Sequence, residues 1–363
     1  MERLVLTTGG TGGHIFPALA VAEEIRARHP AARLLFVGSS HGLEAGLTAR
    51  AGVDFVGLPV RGFLGRGFKA VAAAGRMAWA VAQAVGLVRR FRPQVVAGFG
   101  GYASFAPMLA GYACGVPLLL HEQNAVAGLS NRCMGRLARV VCLSLEDTRG
   151  FAPEKCALTG NPVRAAVLPL ARLEREFQGR HLLVVGGSQG ARALTDAVVE
   201  ALPRLKAAGV ALRLQTGKQD VERARAAVVA AGYAPEDVCA FIDDMPAAYA
   251  WADVALCRAG ASTVAELAVA GLPSVLVPFP HATHDHQTRN AEILAAHGAA
   301  LCIAERDWHA RGTTEDGMAQ VLALLGDSAR LRAMSAAARA QALPRAAAAV
   351  ADNIEALATR AGR

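Results

Sequence analysis

Residues 3–14 read RLVLTTGGTGGH, and residues 180–192 read RHLLVVGGSQGAR. Each runs a short, continuous apolar segment into a pair of glycines. Such a run reads as a β-strand buried on both faces that turns sharply into a helix. Glycine at the turn lets the backbone come close to a phosphate, and the helix that follows offers free N–H groups and a favourable dipole. The same device in each half of the chain predicts two domains built on one plan.

Outward from these turns, apolar runs alternate with helical patterns. Strand candidates are 3–8, 33–38, 53–60, 94–99, 116–121 and 139–144, then 181–186, 210–216, 238–242, 253–257, 273–278 and 299–303. Continuous apolar strands, each followed by a helix, predict parallel α/β sheet, and repetition around a break predicts two doubly wound, Rossmann-like halves. The break is placed at TGNPVR (159–164). The expected domains are 1–163 and 164–339, with a C-terminal helix over about 340–363 packing back on the first. A chain of 363 residues is longer than one core usually serves. Ligands of such sheets sit at the carboxyl ends of the strands, so two domains facing one another would make a cleft.

Hydrophobic residues are 53% of the chain, which argues against long disordered regions. The seven cysteines form no C-x-x-C pair and read as reduced thiols. The strand just after Met1 predicts no signal peptide. The longest apolar stretch, 70–88, is interrupted by Arg76 and Gln83, so it predicts no spanning helix and a soluble protein. Net charge is +8, and between Phe55 and His121 there is no Asp or Glu, while Arg61, Arg66, Lys69, Arg76, Arg89, Arg90 and Arg92 fall there. That block suggests an anionic partner; a solvated basic surface is the plain alternative. Aromatics at 5%, with no recognition helix or RNA-binding motif, argue against nucleic acid.

A dinucleotide fits the glycine turns poorly. GGTGGH lacks the third glycine of G-x-G-x-x-G, and the second strand ends VGSSHG with no acid for a ribose; no G-K-[ST] follows either turn. Four more segments lie at carboxyl ends of strands: GFGGYASF (98–105), HEQNAVAGLSN (121–131), RAGASTVAEL (258–267) and PFPHATHDHQTRNA (278–291). His281, His284 and His286 match no metal-binding helical pair, and no D-x-D is present to hold a cation on a diphosphate. Asp243 and Asp244 read as turn caps. No metal and no cofactor are expected.

GGTGGHIFPALA, GFGGYASFAP, HEQNAVAGLSN, TGNPVR, GGSQGAR, FIDDM, RAGASTVAEL and HDHQ…NA, in this order, resemble the MurG glycosyltransferases over nearly the whole chain. The resemblance implies a GT-B fold: an acceptor domain, then a donor domain for UDP-N-acetylglucosamine. It also implies inverting transfer of N-acetylglucosamine to the muramyl sugar of an undecaprenyl-pyrophosphoryl muramyl-pentapeptide. It further implies a peripheral position on the cytoplasmic face of the inner membrane, with other cell-wall synthesis proteins as candidate partners. By that likeness Ser188 and Gln189 contact the donor phosphates and Arg164 the diphosphate. Ile242 reads the uracil, Glu266 the ribose and Gln287 the sugar, with Asn290 a neighbour. Ala261, Ser262, Thr263 and Val264 line the pocket at a helix start. Glu266 could instead merely favour the start of its helix.

In the first domain Thr11, Gly12 and Gly13 meet the sugar or the acceptor diphosphate. His14 is the candidate general base, since imidazole titrates near neutrality; it could instead only close the turn. Glu122 is the rival base. Tyr102 and Asn124 are positioning groups, and Gly101 and Asn131 belong with the acceptor. Lys69, Arg76, Gln83 and Arg90 recur every seven residues and form one stripe of a helix that otherwise covers the sheet. The loop 61–69, with Arg61, Phe63, Leu64, Arg66, Phe68 and Lys69, is the expected contact with an anionic membrane. Alternatives are a glycolipid transferase with another acceptor, a UDP-N-acetylglucosamine 2-epimerase, and a nucleotide-sugar-binding regulator without turnover.

Overall fold

The structure, a computed structural model, describes residues 1–9, 12–60, 68–187, 190–282, 285–308 and 316–361; the side chains of 68–72 and 361 lie outside that description. The chain divides into two units, Met1–Ala165 with Leu343–Arg363, and Ala166–Ala342.

The first unit holds β1 (Arg3–Thr7), β2 (Arg33–Ser39), β3 (Asp54–Leu58), β4 (Val95–Gly98), β5 (Leu118–Glu122), β6 (Val140–Leu143) and β7 (Cys156–Leu158). They form one parallel sheet in the order β3-β2-β1-β4-β5-β6-β7. Alternation along β1 shows why both faces must be covered. Leu4 and Leu6 enter one core and Val5 the other. Helices α1 (Gly12–Arg28), α2 (Glu44–Arg50), α3 (Phe68–Phe91), α4 (Phe105–Ala113) and α5 (Leu129–Leu137) complete the layers. Strand β7 was not anticipated. Three partly exposed residues at a sheet edge carry no readable alternation.

The second unit repeats the plan with β8 (His181–Val185), β9 (Ala211–Gln215), β10 (Val238–Cys239), β11 (Val254–Cys257), β12 (Ser274–Leu276) and β13 (Ala300–Cys302), parallel in the order β10-β9-β8-β11-β12-β13. Its helices are α6 (Arg192–Ala207), α7 (Val221–Ala230), α8 (Met245–Trp251), α9 (Ala261–Ala270), α10 (His286–Ala296), α11 (Gly317–Leu325) and α12 (Ser328–Ala340). Strand β10 is shorter than the expected 238–242, because an edge strand pairs only with β9. Arg175, half-buried and donating to the carbonyls of Tyr249, Ala252 and Ala270, closes the ends of α8 and α9.

The last helix, α13 (Ala346–Ala361), belongs to the first unit. Its buried Val350, Ala351, Ile354, Leu357 and Ala358 share a core with Ile15, Ala18, Val21, Ala22 and Ile25 of α1. At the rim Arg28 bonds Asp352 at 2.5 Å and His29 meets Glu355 at 3.0 Å. Partly exposed pairs of this kind at a rim add little, so the apolar seam holds the helix.

Helix α3 buries Met77, Ala80, Ala84 and Val88. Its outer face is broader than the expected narrow wet edge: Ala74, Gly75, Arg76, Ala78, Trp79, Ala82, Gln83, Gly86, Arg89 and Arg90 are all exposed. Phe68 and Lys69 begin this helix and are not loop residues; the alanine-rich run that follows extends helix toward them. Arg61, Phe63, Leu64 and Arg66 lie outside the described residues. Among the described residues, no helix is long and apolar enough to cross a membrane.

His121, on β5, is fully buried and donates from Nε2 to the Gly160 carbonyl at 3.0 Å, tying β5 to the segment after β7. Burial pushes its imidazolium down to about 4, a shift only partly opposed by that hydrogen bond. The unfolded chain therefore takes up this proton at higher pH than the folded chain. Stability from this group is fully present above about pH 6.5 and is lost as pH falls toward 4.

Two measurements check this account. Ile354→Ala should cost about 2–5 kcal/mol in denaturant melts, because a fully buried isoleucine is replaced by a cavity. Between pH 7 and 4.5 the wild type should lose stability, with about 2 kcal/mol of the loss traceable to His121. His121→Gln should show a shallower decline over the same range.

Candidate functional site

In each sheet the strand order reverses once, between β1 and β4 and between β8 and β11. Turns leaving the carboxyl ends there diverge to opposite faces and open a crevice, the usual ligand position in such sheets.

In the first unit the two turns are stitched together. Phe99 N donates to Thr7 O at 2.8 Å, Gly9 N to Gly100 O at 3.1 Å, and Thr8 Oγ1 to Gly100 O at 3.2 Å. Gly101 has φ +81°, and a Cβ on it would lie 2.0 Å from the Gly9 carbonyl oxygen, so only glycine fits. Gly100, at φ +84°, has the Asn131 amide and His14 Nδ1 within 3.3 Å of where its Cβ would be. Gly12 opens α1, followed by the half-buried Gly13 and His14, and Tyr102 lies half-buried after the second turn. Thr11 lies outside the described residues.

The end of β5 supplies the polar side chains. Glu122 is buried, and both its oxygens are engaged: Oε1 accepts from Asn124 N at 3.0 Å and Asn124 Nδ2 at 3.3 Å, and Oε2 from Asn131 Nδ2 at 2.8 Å. These bonds pin the 123–131 segment to its strand. His14 Nδ1 lies 3.0 Å from Gln123 Oε1, and Gln123 Nε2 donates to Phe99 O at 2.8 Å. Arg164 stacks over the Phe16 ring at 5.1 Å. His14, Gly101, Glu122, Asn124 and Asn131 thus converge on one end of one sheet. Gln123 escaped sequence reading; its only signal was its place inside HEQN.

In the second unit Gly190, at φ +77°, passes so near the Thr216 carbonyl that a Cβ would sit 2.3 Å from its oxygen. The Gln215 side chain braces the same turn, accepting from Gly187 N at 3.1 Å and donating to Gly187 O and Ala240 O at 3.0 Å. Ser188 and Gln189 lie outside the described residues.

Across the switch point Gly260 caps α9, whose first residues Ala261, Ser262 and Thr263 are half-buried and whose Val264 is buried. Glu266 is not in the first turn. It is buried in the second turn and accepts from Tyr249 Oη at 3.0 Å. A merely favourable charge at the helix start does not account for that placement. Tyr249 is a second residue that sequence reading missed.

Ile242 is half-buried between β10 and α8, where Asp244 caps the helix by accepting from Ala247 N at 2.9 Å. Gln287 Oε1 accepts from Phe279 N at 3.0 Å, and the buried Asn290 donates to Ala259 O at 3.2 Å. Arg258 steadies the loop before α10 through the carbonyls of Val277 and Pro278, a pair with Glu305, and the Phe279 ring. His281 is exposed and His286 half-buried, while His284 lies outside the described residues. Among the described residues, no three His, Cys, Asp or Glu side chains group as metal ligands.

The Glycosyltransferase family 28 N-terminal domain matches residues 4–143, and the family's C-terminal domain matches residues 181–350. A protein of Nitratidesulfovibrio vulgaris (strain Miyazaki F) is 54% identical over 98% of this chain and 97% of its own length. One of Solidesulfovibrio magneticus is 49% identical over 100% of both. Both are named UDP-N-acetylglucosamine–N-acetylmuramyl-(pentapeptide) pyrophosphoryl-undecaprenol N-acetylglucosamine transferase. The crystal structure of Acinetobacter baumannii MurG aligns with a TM-score of 0.75 at 33% identity, covering 98% of this chain and 99% of that one.

Proposed function

Because this chain belongs to the MurG family, within glycosyltransferase family 28, we propose that it moves N-acetylglucosamine from UDP-N-acetylglucosamine to the 4-hydroxyl of the muramyl sugar in undecaprenyl-pyrophosphoryl muramyl-pentapeptide. The observation that carries this reading is full-length similarity at 54% to a transferase named for that reaction. It favours transfer to this acceptor over the epimerase, the other glycolipid transferases and the binding-only regulator.

The residues divide the chemistry as follows. The acceptor hydroxyl loses its proton to His14 as its oxygen bonds the anomeric carbon. The bond from that carbon to the diphosphate breaks, the electron pair leaves with UDP, and attack from the opposite face inverts the centre. Charge grows on the departing diphosphate, where the N-terminus of α9, the turn bearing Ser188 and Gln189, and Arg164 supply donors. Ile242 binds the uracil through its backbone, Glu266 the ribose hydroxyls, and Gln287 the sugar, with Asn290 bracing that loop. Thr11, Gly12, Gly13 and Asn124 serve the donor sugar; Gly101, Tyr102 and Asn131 serve the acceptor. His14 is preferred to Glu122 as base because both Glu122 oxygens already accept hydrogen bonds.

The acceptor's polyprenyl chain stays in a bilayer, so the first unit must reach a membrane surface. The basic, acid-free stretch from residue 61 through α3 suits that role: Trp79 is 62% exposed on the same helix as the exposed Arg76, Arg89 and Arg90.

Transfer of labelled sugar to the lipid-linked acceptor, with release of UDP, tests the reaction. A hundredfold excess of UDP-N-acetylglucosamine over its Kd should stabilise the fold by about 2.7 kcal/mol, and NADH should not. Glu266→Ala should weaken donor binding by about 1.5–3 kcal/mol; an unchanged donor KM with lowered Tm would reassign Glu266 to structure. Arg61→Glu, Arg66→Glu and Lys69→Glu together should abolish co-sedimentation with anionic vesicles while donor binding survives. Equal sedimentation would remove this stretch as the docking surface.

A further inference from the structure

The hydrogen bonds around His14 determine which ring nitrogen carries its proton. A backbone carbonyl can only accept, so the Gln123 atom 2.8 Å from Phe99 O is the amide nitrogen. The other end of that amide is then the oxygen, which lies 3.0 Å from His14 Nδ1 and can also only accept. His14 Nδ1 must therefore bear hydrogen, and in the neutral ring Nε2 keeps the lone pair. Every donor and acceptor in this chain follows from the fixed polarity of one peptide carbonyl.

We propose that Gln123 is a positioning residue that locks His14 in the Nδ1–H tautomer, so that Nε2 is the atom that takes the acceptor hydroxyl proton. The inference rests on the reading of His14 as general base. The proton passes from the hydroxyl to Nε2, giving an imidazolium whose Nδ1–H remains on Gln123 throughout. An amide suits the position. Gln123 is 1% exposed and adjoins Glu122 in sequence, so a second carboxylate would be buried at considerable cost, whereas an amide fixes geometry without charge. The neighbouring groups do not compete for the role. His121 is buried and committed through Nε2 to Gly160 O, and the Glu122 carboxylate is held by Asn124 and Asn131. Gly100 adds no side chain where the His14 and Asn131 groups crowd together.

The test combines spectroscopy with kinetics on the full chain. In ¹⁵N-histidine spectra at a pH where the ring is neutral, the His14 signals are identified by their loss in His14→Ala. They should show a protonated Nδ1 and an unprotonated Nε2. Gln123→Ala should lose that tautomer and lower kcat by about a hundredfold with donor KM little changed. That is less than the roughly 10⁴-fold cost of neutralising a triad aspartate, because an amide contributes orientation but no charge. Gln123→Glu should restore most of the turnover and move the acid limb of the kcat/KM profile to higher pH, since a carboxylate stabilises the imidazolium. A wild-type His14 protonated at Nε2, or a Gln123→Ala enzyme with unchanged kcat, overturns the proposal. If Nε2 is protonated while His14→Ala is inactive, His14 remains the base and only the lock by Gln123 fails. If His14→Ala turns over normally, the base assignment fails and the catalytic role of Gln123 falls with it.

Discussion

A parallel sheet covered on both faces leaves its polar side chains almost nowhere to go except the ends of its strands. Both units obey that constraint. Strand interiors such as Leu4–Leu6 and Val254–Leu256 are buried among apolar neighbours. Chemistry-bearing residues gather where strands stop and the strand order reverses. Close approach of neighbouring turns then requires glycine, at the β1/β4 reversal in the first unit and between the turns after β8 and β9 in the second. Gly101 meets the Gly9 carbonyl in the first unit, and Gly190 the Thr216 carbonyl in the second. The glycine pairs are thus a consequence of the architecture before they are a ligand signature.

Around these turns the first unit builds a buried polar network at the end of β5. Its members have separate duties. Glu122 holds the 123–131 segment, His121 holds the exit of β7, and Gln123 holds His14. A carboxylate enclosed by donors and an imidazole deprived of water both serve as fixed structure. Of the two imidazoles, His14 is only half-buried where His121 is fully buried, so it is the one not sealed from water. The second unit reaches a similar arrangement with different residues: Gln215 braces the glycine turn, and Tyr249 orients Glu266.

The return of α13 to the first unit shows how far chain order and spatial order can part. Its apolar face is legible as helix, yet its partner α1 begins the chain. Only burial of Ile354 and Val350 against Ile15 and Val21 settles the pairing. Local signals also misjudge what tertiary contact decides. The wet face of α3 is broader than its heptad stripe, and Glu266 is buried in its helix, not displayed at the start.

The sequence alone determined the parallel α/β halves, the placement of nearly every strand, and the turns where function gathers, because strand periodicity, apolar runs and glycine act over a few neighbouring residues. Strand β7 escaped because three edge residues carry no period. What only the tertiary structure decided is the role of each polar side chain. Read along the chain, His14 and Glu122 are rival bases, and Gln123 carries no signal beyond its place inside HEQN. Their duties differ because a carbonyl from β4's turn, the amides of Asn124 and Asn131, and a glycine without a side chain surround them in three dimensions. Hydrogen-bond polarity is set by the partners a fold brings together, and those partners come from positions far apart in the chain.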